Sequence, residues 1–180
     1  MDADDWCKPE RLEKQLNFLK SHEEYDLVGT LCMFVYDDGT EYKFKKPEIP
    51  TKDILPLTNP FIHPTNMIRR TAIDKLGGYT VSKHTLRCED LDLWYRFFYL
   101  DMKGYNIQEY LYYKRQGIKN YKQRKFKNAI DIFLVHINGI KLLDLKWYKY
   151  FLALKPVLSS IIPKKMMILY HKVIFNKNKL

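Results

Sequence analysis

Two short acidic runs are the parts of this 180-residue sequence best suited to chemistry. In the first, Asp2-Ala3-Asp4-Asp5, the alternating carboxylates at a strand end would project Asp2 and Asp4 to the same side. Hard oxygen ligands placed in that way suit a divalent cation, although the same residues also suit capping of a helix that begins near Pro9. In the second, Arg87-Cys88-Glu89-Asp90-Leu91-Asp92-Leu93-Trp94, carboxylates stand at a helix N-terminus, where the helix dipole favours negative charge. Capping is again the plain structural use.

These runs need elements to hold them. Residues 9–21 read as a helix with Leu12, Leu16 and Leu19 on one face, and with Pro9 where a missing backbone N–H does no harm. Residues 27–36 form an apolar, β-prone run that closes at Asp37-Asp38-Gly39-Thr40, with residues 42–44 returning as a hairpin partner. Residues 46–64 carry Pro47, Pro50, Pro56, Pro60 and Pro64, which predicts a surface loop with one helical turn around Ile54. A short strand is expected at 66–69, then a short helix at 71–76 stopped by Gly77-Gly78. Residues 89–103 are the clearest helix, with Leu91, Trp94, Tyr95, Phe98 and Met102 at helical spacing and Gly104 as its stop. A strand follows at 105–113. Strands and helices in turn predict an α/β layered fold.

Composition narrows the classes. With 46% hydrophobic and 15% aromatic residues the chain can bury one sizeable core, which excludes wholesale disorder. Cys7, Cys32 and Cys88 are an odd number without CxxC spacing, so reduced thiols and a cytoplasmic address are expected. The N-terminus lacks the basic patch and apolar core of a signal peptide, and no apolar run approaches the roughly 18 residues of a spanning helix.

Charge is divided along the chain. Residues 1–110 hold 15 Lys and Arg against 19 Asp and Glu, while residues 111–180 hold 16 against 2. An acidic front with a basic tail points to an anionic partner for the tail. Residues 124–143 and 147–174 read as amphipathic helices, broken near Lys155-Pro156 and near Pro163-Lys164-Lys165. Trp147, Tyr150, Phe151, Leu154, Leu158, Ile161 and Ile162 lie among lysines, a pattern suited to the interface of an anionic membrane or, more plainly, to a helical cap on the domain. Nucleic acid is not expected as a partner. The tail's aromatics fall on an apolar stripe, no helix-turn-helix or zinc signature occurs, and the acidic front would repel phosphate.

In this order and with these neighbours, the runs resemble the family 2 glycosyltransferases of the GT-A fold. MDADDWCKPERLEKQLNFL resembles the family's aspartate-rich metal loop, NPFIHPTNMIRRTAIDKLGGY its acceptor-side segment, CEDLDLWYRF the segment of the catalytic carboxylate, and KGYNIQEYLYYKR the strand after it. The likeness is greatest to bacterial transferases that build capsule, exopolysaccharide or lipopolysaccharide. It covers residues 1–115, which are expected to be the C-terminal portion of a Rossmann-like GT-A domain, followed at 116–180 by a basic amphipathic helical tail. The family's nucleotide-binding half precedes the metal loop and lies outside this sequence.

The resemblance implies a mechanism. Asp4 coordinates Mg²⁺ or Mn²⁺ on the diphosphate of a nucleotide sugar, with a UDP-sugar expected, and Asp2 completes the site or contacts the ribose. Asp90 acts as general base on the acceptor hydroxyl, giving inversion, with Glu89 as its substitute. His63 and Thr65 line the acceptor site, and Trp94 stacks on a sugar ring or packs in the apolar helical stripe. Arg69, Arg70 and Arg115 approach phosphate oxygens or stay at the solvated surface. The acceptor is expected to be a surface-polysaccharide or lipid-linked saccharide, met at the cytoplasmic face of the cell membrane through residues 145–180. The alternative is an inactive membrane-associated remnant, or an accessory chain that needs a partner.

Overall fold

The computed structural model describes residues 3–116 and 126–162. Its centre is β2 (Leu27–Tyr36), whose first seven residues are buried. On one side β2 runs parallel to β5 (Gly104–Gln116), from Leu27 beside Gly104 to Tyr36 beside Gln116, with irregular register around Leu31. Toward its C-terminal end it pairs antiparallel with β3 (Glu41–Phe44), closing the hairpin expected at Asp37 to Thr40. Toward its start it pairs antiparallel with β4 (Met67–Ile68). A two-residue strand, β1 (Trp6–Cys7), lies antiparallel on the far side of β5 and completes a five-stranded mixed sheet.

Helix α1 (Arg11–Ser21) begins two residues after Pro9. Its buried positions are Arg11, Gln15 and Leu19, whereas Leu12 and Leu16 are exposed. Of the expected leucine face only Leu19 is buried; Arg11 and Gln15, each one residue before an expected leucine, take the other two places. Gln15 Nε2 donates to the backbone carbonyls of Val28 (2.9 Å) and Thr65 (2.8 Å), binding α1 to the sheet through polar contacts that an apolar pattern cannot reveal.

The loop after β3 holds two short 3₁₀ turns, Lys52–Ile54 and His63–Thr65. Helix α2 (Arg70–Leu76) ends in a left-handed Gly77 at φ 70°, as the glycine pair predicts. Helix α3 (Glu89–Tyr99) stops four residues before Lys103; Asp101, at φ 53°, makes the turn out of it. Gly104 opens β5 and does not terminate the helix. A Cβ there would run into the ring of Phe61.

The main core joins Leu27, Phe61, Leu91, Trp94, Phe97 and Met102 to Ile132, Val135, Ile140, Leu143, Leu145 and Ala153. It is thus continuous between α3 and the helices beyond residue 125: α4 (Phe126–Leu142), α5 (Lys149–Ala153) and α6 (Lys155–Ile161). Gly139 of α4 faces the Tyr95 ring, so the two helices cross where no Cβ intervenes. The break expected at Lys155-Pro156 falls one residue earlier, at Leu154. Pro156 sits in the first turn of α6, where its missing N–H is harmless. The break expected at Pro163 to Lys165 lies outside the described residues. Among the described residues no helix is long and apolar enough to cross a membrane.

Candidate active site

Asp90 stands in the first turn of α3. The turn before the helix is fixed by its own hydroxyls: Thr85 Oγ1 donates to the Thr80 carbonyl at 2.7 Å, and the Cys88 N–H donates to the Thr85 carbonyl at 2.9 Å. Arg96, in the last turn of the helix, reaches the carbonyls of Leu76 (2.6 Å) and Gly78 (2.9 Å) and Asp92 Oδ2 (2.9 Å). Asp92 also accepts from Thr80 Oγ1 at 2.6 Å, so this third carboxylate is consumed in holding the loop against α3.

Asp90 is differently placed. Its Oδ1 accepts the Leu91 N–H at 2.8 Å, and its Oδ2 accepts the side-chain amide of Asn59 at 2.7 Å. Each carboxylate oxygen has two lone pairs, so both retain an acceptor position. Asp90 lines a cleft of about 580 Å³ together with Asn59, His63, Arg87, Lys46 and Lys114. Apolar side chains, Phe61 and Leu91 among them, form the rest of its lining.

His63 Nε2 lies 2.8 Å from the Tyr79 hydroxyl. Burial first, and then the charges of Asp90 and Glu89, push the Tyr79 phenol above its usual range. Lys46 is 8% exposed and gives its ammonium to Thr58 Oγ1 (2.7 Å) and to the Asn59 carbonyl (2.5 Å); burial lowers its pKa to about 8. Burial, followed by the charge of Glu89, raises the Cys88 thiol to about 11, and burial raises Cys32 to about 12, so both stay protonated and unreactive at neutral pH.

The remaining candidates from the sequence divide. Glu89 is exposed and does not line the cleft. Thr65 is fully buried, with its hydroxyl spent on the carbonyls of Ile62 (2.8 Å) and Thr30 (3.2 Å), so it holds the loop and turns no group toward the cleft. Trp94 is 1% exposed, packed edge-on to Phe61 at 5.1 Å; both its faces are covered, leaving none for a sugar. Arg69 is turned inward to the carbonyls of Tyr25 (2.8 Å) and His22 (3.2 Å), Arg70 pairs with Asp74 at 2.9 Å, and Arg115 lies over the Trp6 ring at 5.9 Å.

Asp2 lies outside the described residues. Asp4 is exposed in a turn, whereas Asp5 is buried and accepts from the Tyr112 hydroxyl (2.7 Å) and the Arg115 N–H (3.1 Å). Asp5 therefore ties the acidic run to β5 and does not cap α1, whose N-cap Glu10 makes no side-chain bond. This tether presents Asp4 outward as a single hard oxygen donor, which fits one protein ligand to a cation that also binds phosphate. Among the described residues no cluster of three His, Cys, Asp or Glu side chains could hold a metal alone.

Lys46 lies in no motif, whereas Asn59 and Tyr79 bound the acceptor-side segment and Arg87 opens the second acidic run, none of them marked there by a pattern that points to chemistry. Asn59 and Lys46 lie in or beside a proline-rich loop whose path local sequence does not fix.

The mixed sheet with its helices has the GT-A fold of glycosyltransferases. Staphylococcus aureus TarS 1-349 in complex with UDP-GlcNAc matches it with a TM-score of 0.53 over 90% of this chain and 56% of that one, at 12% identity. Residues 1–77 match the family described as Glycosyl transferase family 2. A Bacillus subtilis protein named as the glycosyltransferase EpsE is 38% identical over 172 residues, 95% of this chain and 62% of EpsE. The amylovoran biosynthesis glycosyltransferase AmsE of Erwinia amylovora is 32% identical over 133 residues, 72% of this chain and 48% of AmsE. The chain belongs to glycosyltransferase family 2. It spans about three fifths of EpsE and about half of AmsE.

Proposed function

We propose that this chain carries the acceptor side and the metal loop of a glycosyltransferase that moves a sugar from a nucleotide-sugar donor to a polysaccharide or lipid-linked saccharide, with inversion. The observation that carries this reading is Asp90, held by Asn59 and the Leu91 N–H in the lining of a cleft large enough for saccharide. Asp90 takes the proton from an acceptor hydroxyl as that oxygen attacks the anomeric carbon. The bond from that carbon to the donor phosphate breaks, and the nucleoside diphosphate leaves with its electron pair. Glu89, one residue away but outside the cleft lining, is the substitute base. His63, hydrogen-bonded to Tyr79, is positioned to meet acceptor hydroxyls.

On the donor side, Asp4 would hold Mg²⁺ or Mn²⁺, with Asp2 as its companion. The ion, when bound, offsets the charge that gathers on the departing diphosphate. The TarS complex with UDP-GlcNAc supports UDP as the nucleotide to try first.

The location we infer is the cytoplasmic face of a membrane. Trp147 (73% exposed), Phe151 (65%), Leu158 (59%) and Ile161 (66%) stand out from α5 and α6 and the turn before them, among the exposed Lys146 and Lys155. Apolar insertion and lysine attraction to anionic headgroups would act together there.

The reading is tested by incubating the protein with a radiolabelled UDP-sugar and a membrane extract. Mn²⁺- or Mg²⁺-dependent transfer that is lost in Asp4→Ala supports it; transfer unaffected by chelation and by Asp4→Ala overturns the metal assignment.

A further inference from the structure

The cleft beside Asp90 carries more positive charge than one carboxylate can neutralise. Lys46, Arg87, Lys114 and Lys155 all line it, and among the described residues Asp90 is the sole acidic side chain in the lining. The partners of two of these lysines do not cancel their charge: Lys46 donates to a hydroxyl and a carbonyl, and Lys155 to the Leu57 carbonyl at 3.4 Å. Arg87 makes no hydrogen bond or ion pair among the described residues.

Arg87 is also held in an unusual conformation. Its φ of 74° is left-handed, a region that costs a non-glycine residue about 1 kcal/mol or more and persists where the surroundings impose it. The Cys88 N–H bonded to Thr85 and the Cys88 thiol bonded to the His84 carbonyl (3.4 Å) impose it here. The result is a guanidinium in the cleft lining three residues before Asp90. A planar fork of N–H donors suits phosphate or carboxylate oxygens. Apolar lining from Leu55, Phe61 and Ile132 lowers the local dielectric and strengthens such a contact.

We propose that the cleft selects an acceptor bearing an oxyanion, bound by Arg87 with Lys155, next to the hydroxyl presented to Asp90. The oxyanion is either a phosphate ester or a sugar carboxylate, and both would use the same fork. This inference rests on the reading of Asp90 as the base and of its cleft as the acceptor site.

The test is equilibrium binding of glucose 1-phosphate, glucuronic acid and neutral glucose to the whole chain, with UDP and Mn²⁺ then added. Arg87→Gly is the informative variant: it removes the guanidinium and places glycine where φ is positive, so the fold is relieved and not strained. Saturable binding of either anionic sugar, at least about tenfold stronger than glucose, weakened about tenfold or more by Arg87→Gly and undisturbed by UDP, is the expected result. Glucose 1-phosphate alone would identify a phosphate-bearing acceptor; glucuronic acid alone would identify a uronate. Absence of saturable binding, equal binding of glucose, indifference to Arg87→Gly, or displacement by UDP would each overturn the proposal, the last by assigning the anion to the donor. Asp90→Asn separates the two readings. If it abolishes transfer while Arg87→Gly leaves anion binding unchanged, the base assignment stands and the anion site falls; if it transfers at the parental rate, the base assignment itself falls.

Discussion

Asn59 donates its side-chain amide to Asp90 Oδ2 at 2.7 Å, from a loop 31 residues earlier in the sequence. The same Asn59 offers its backbone carbonyl to the buried Lys46 ammonium at 2.5 Å, so a lysine near the end of the hairpin fixes the loop that orients the carboxylate. Two segments remote in sequence, the proline-rich loop with Lys46 at its start and the first turn of α3, thus set the direction of one proton acceptor.

Asn59→Ala is expected to lower the transfer rate about tenfold while leaving UDP affinity unchanged, because it frees the Asp90 carboxylate to turn without touching the donor side. Asn59→Asp should be worse, since it sets a like charge against Asp90. Steady-state kinetics with UDP calorimetry on both variants measures this.

Lys46 gives a pH signature. Its pKa falls from 10.5 to about 8 on folding, because burial penalises the charged form. The folded protein therefore binds fewer protons than the unfolded chain in this range, and stability rises between about pH 8 and about pH 10. Tyr105 acts in the opposite direction. The hydrogen bond with Glu48 first, then burial, raises it to about 12, so its contribution is present below about pH 10 and is lost toward pH 12. Chemical denaturation from pH 7 to 10 should show the rise in the parent and not in Lys46→Met.

Much of the scaffold was legible in sequence. The hairpin around Gly39 and the left-handed stop at Gly77 are local events governed by turn and cap chemistry, and the start of α3 at Glu89 is marked by the carboxylates of its first turn. The failures share a cause. Gly104 reads as a helix stop but is small because Phe61 lies against it, and Arg11 and Gln15, which are not on the expected leucine face, are buried through partners 13 to 53 residues away. Likewise Thr65 and Trp94 sit in segments that resemble the family's acceptor side and catalytic helix, yet their side chains point into the interior. Which face of a segment is buried is a tertiary fact.

Gly104→Ala should destabilise the protein by about 1–3 kcal/mol, through overpacking against Phe61. Urea unfolding gives the value, and a change below about 0.5 kcal/mol would mean that the ring yields without cost.

Arg96→Ala should cost about 2–4 kcal/mol, since it leaves the carbonyls of Leu76 and Gly78 without their charged donor and frees Asp92. The loop that leads to Asp90 would loosen with it, so hydrogen exchange over residues 77–88 should accelerate more than over β2.

Membrane association is better tested by substitution than by truncation, because Leu145, Lys149 and Ala153 are buried and Leu145 and Ala153 belong to the core. The double variant Trp147→Ser, Phe151→Ser is expected to keep the parental melting temperature and to lose co-sedimentation with anionic vesicles. Retained co-sedimentation would remove the inferred interfacial role of these two side chains.

The central claim, that Asp90 is the base, is tested most directly by the rate of sugar transfer in Asp90→Asn, an isosteric change that keeps the fold and removes the proton acceptor. The account predicts transfer reduced by at least about a thousandfold with UDP affinity within about twofold of the parent. Transfer at the parental rate would contradict it and place the base on another residue of the cleft.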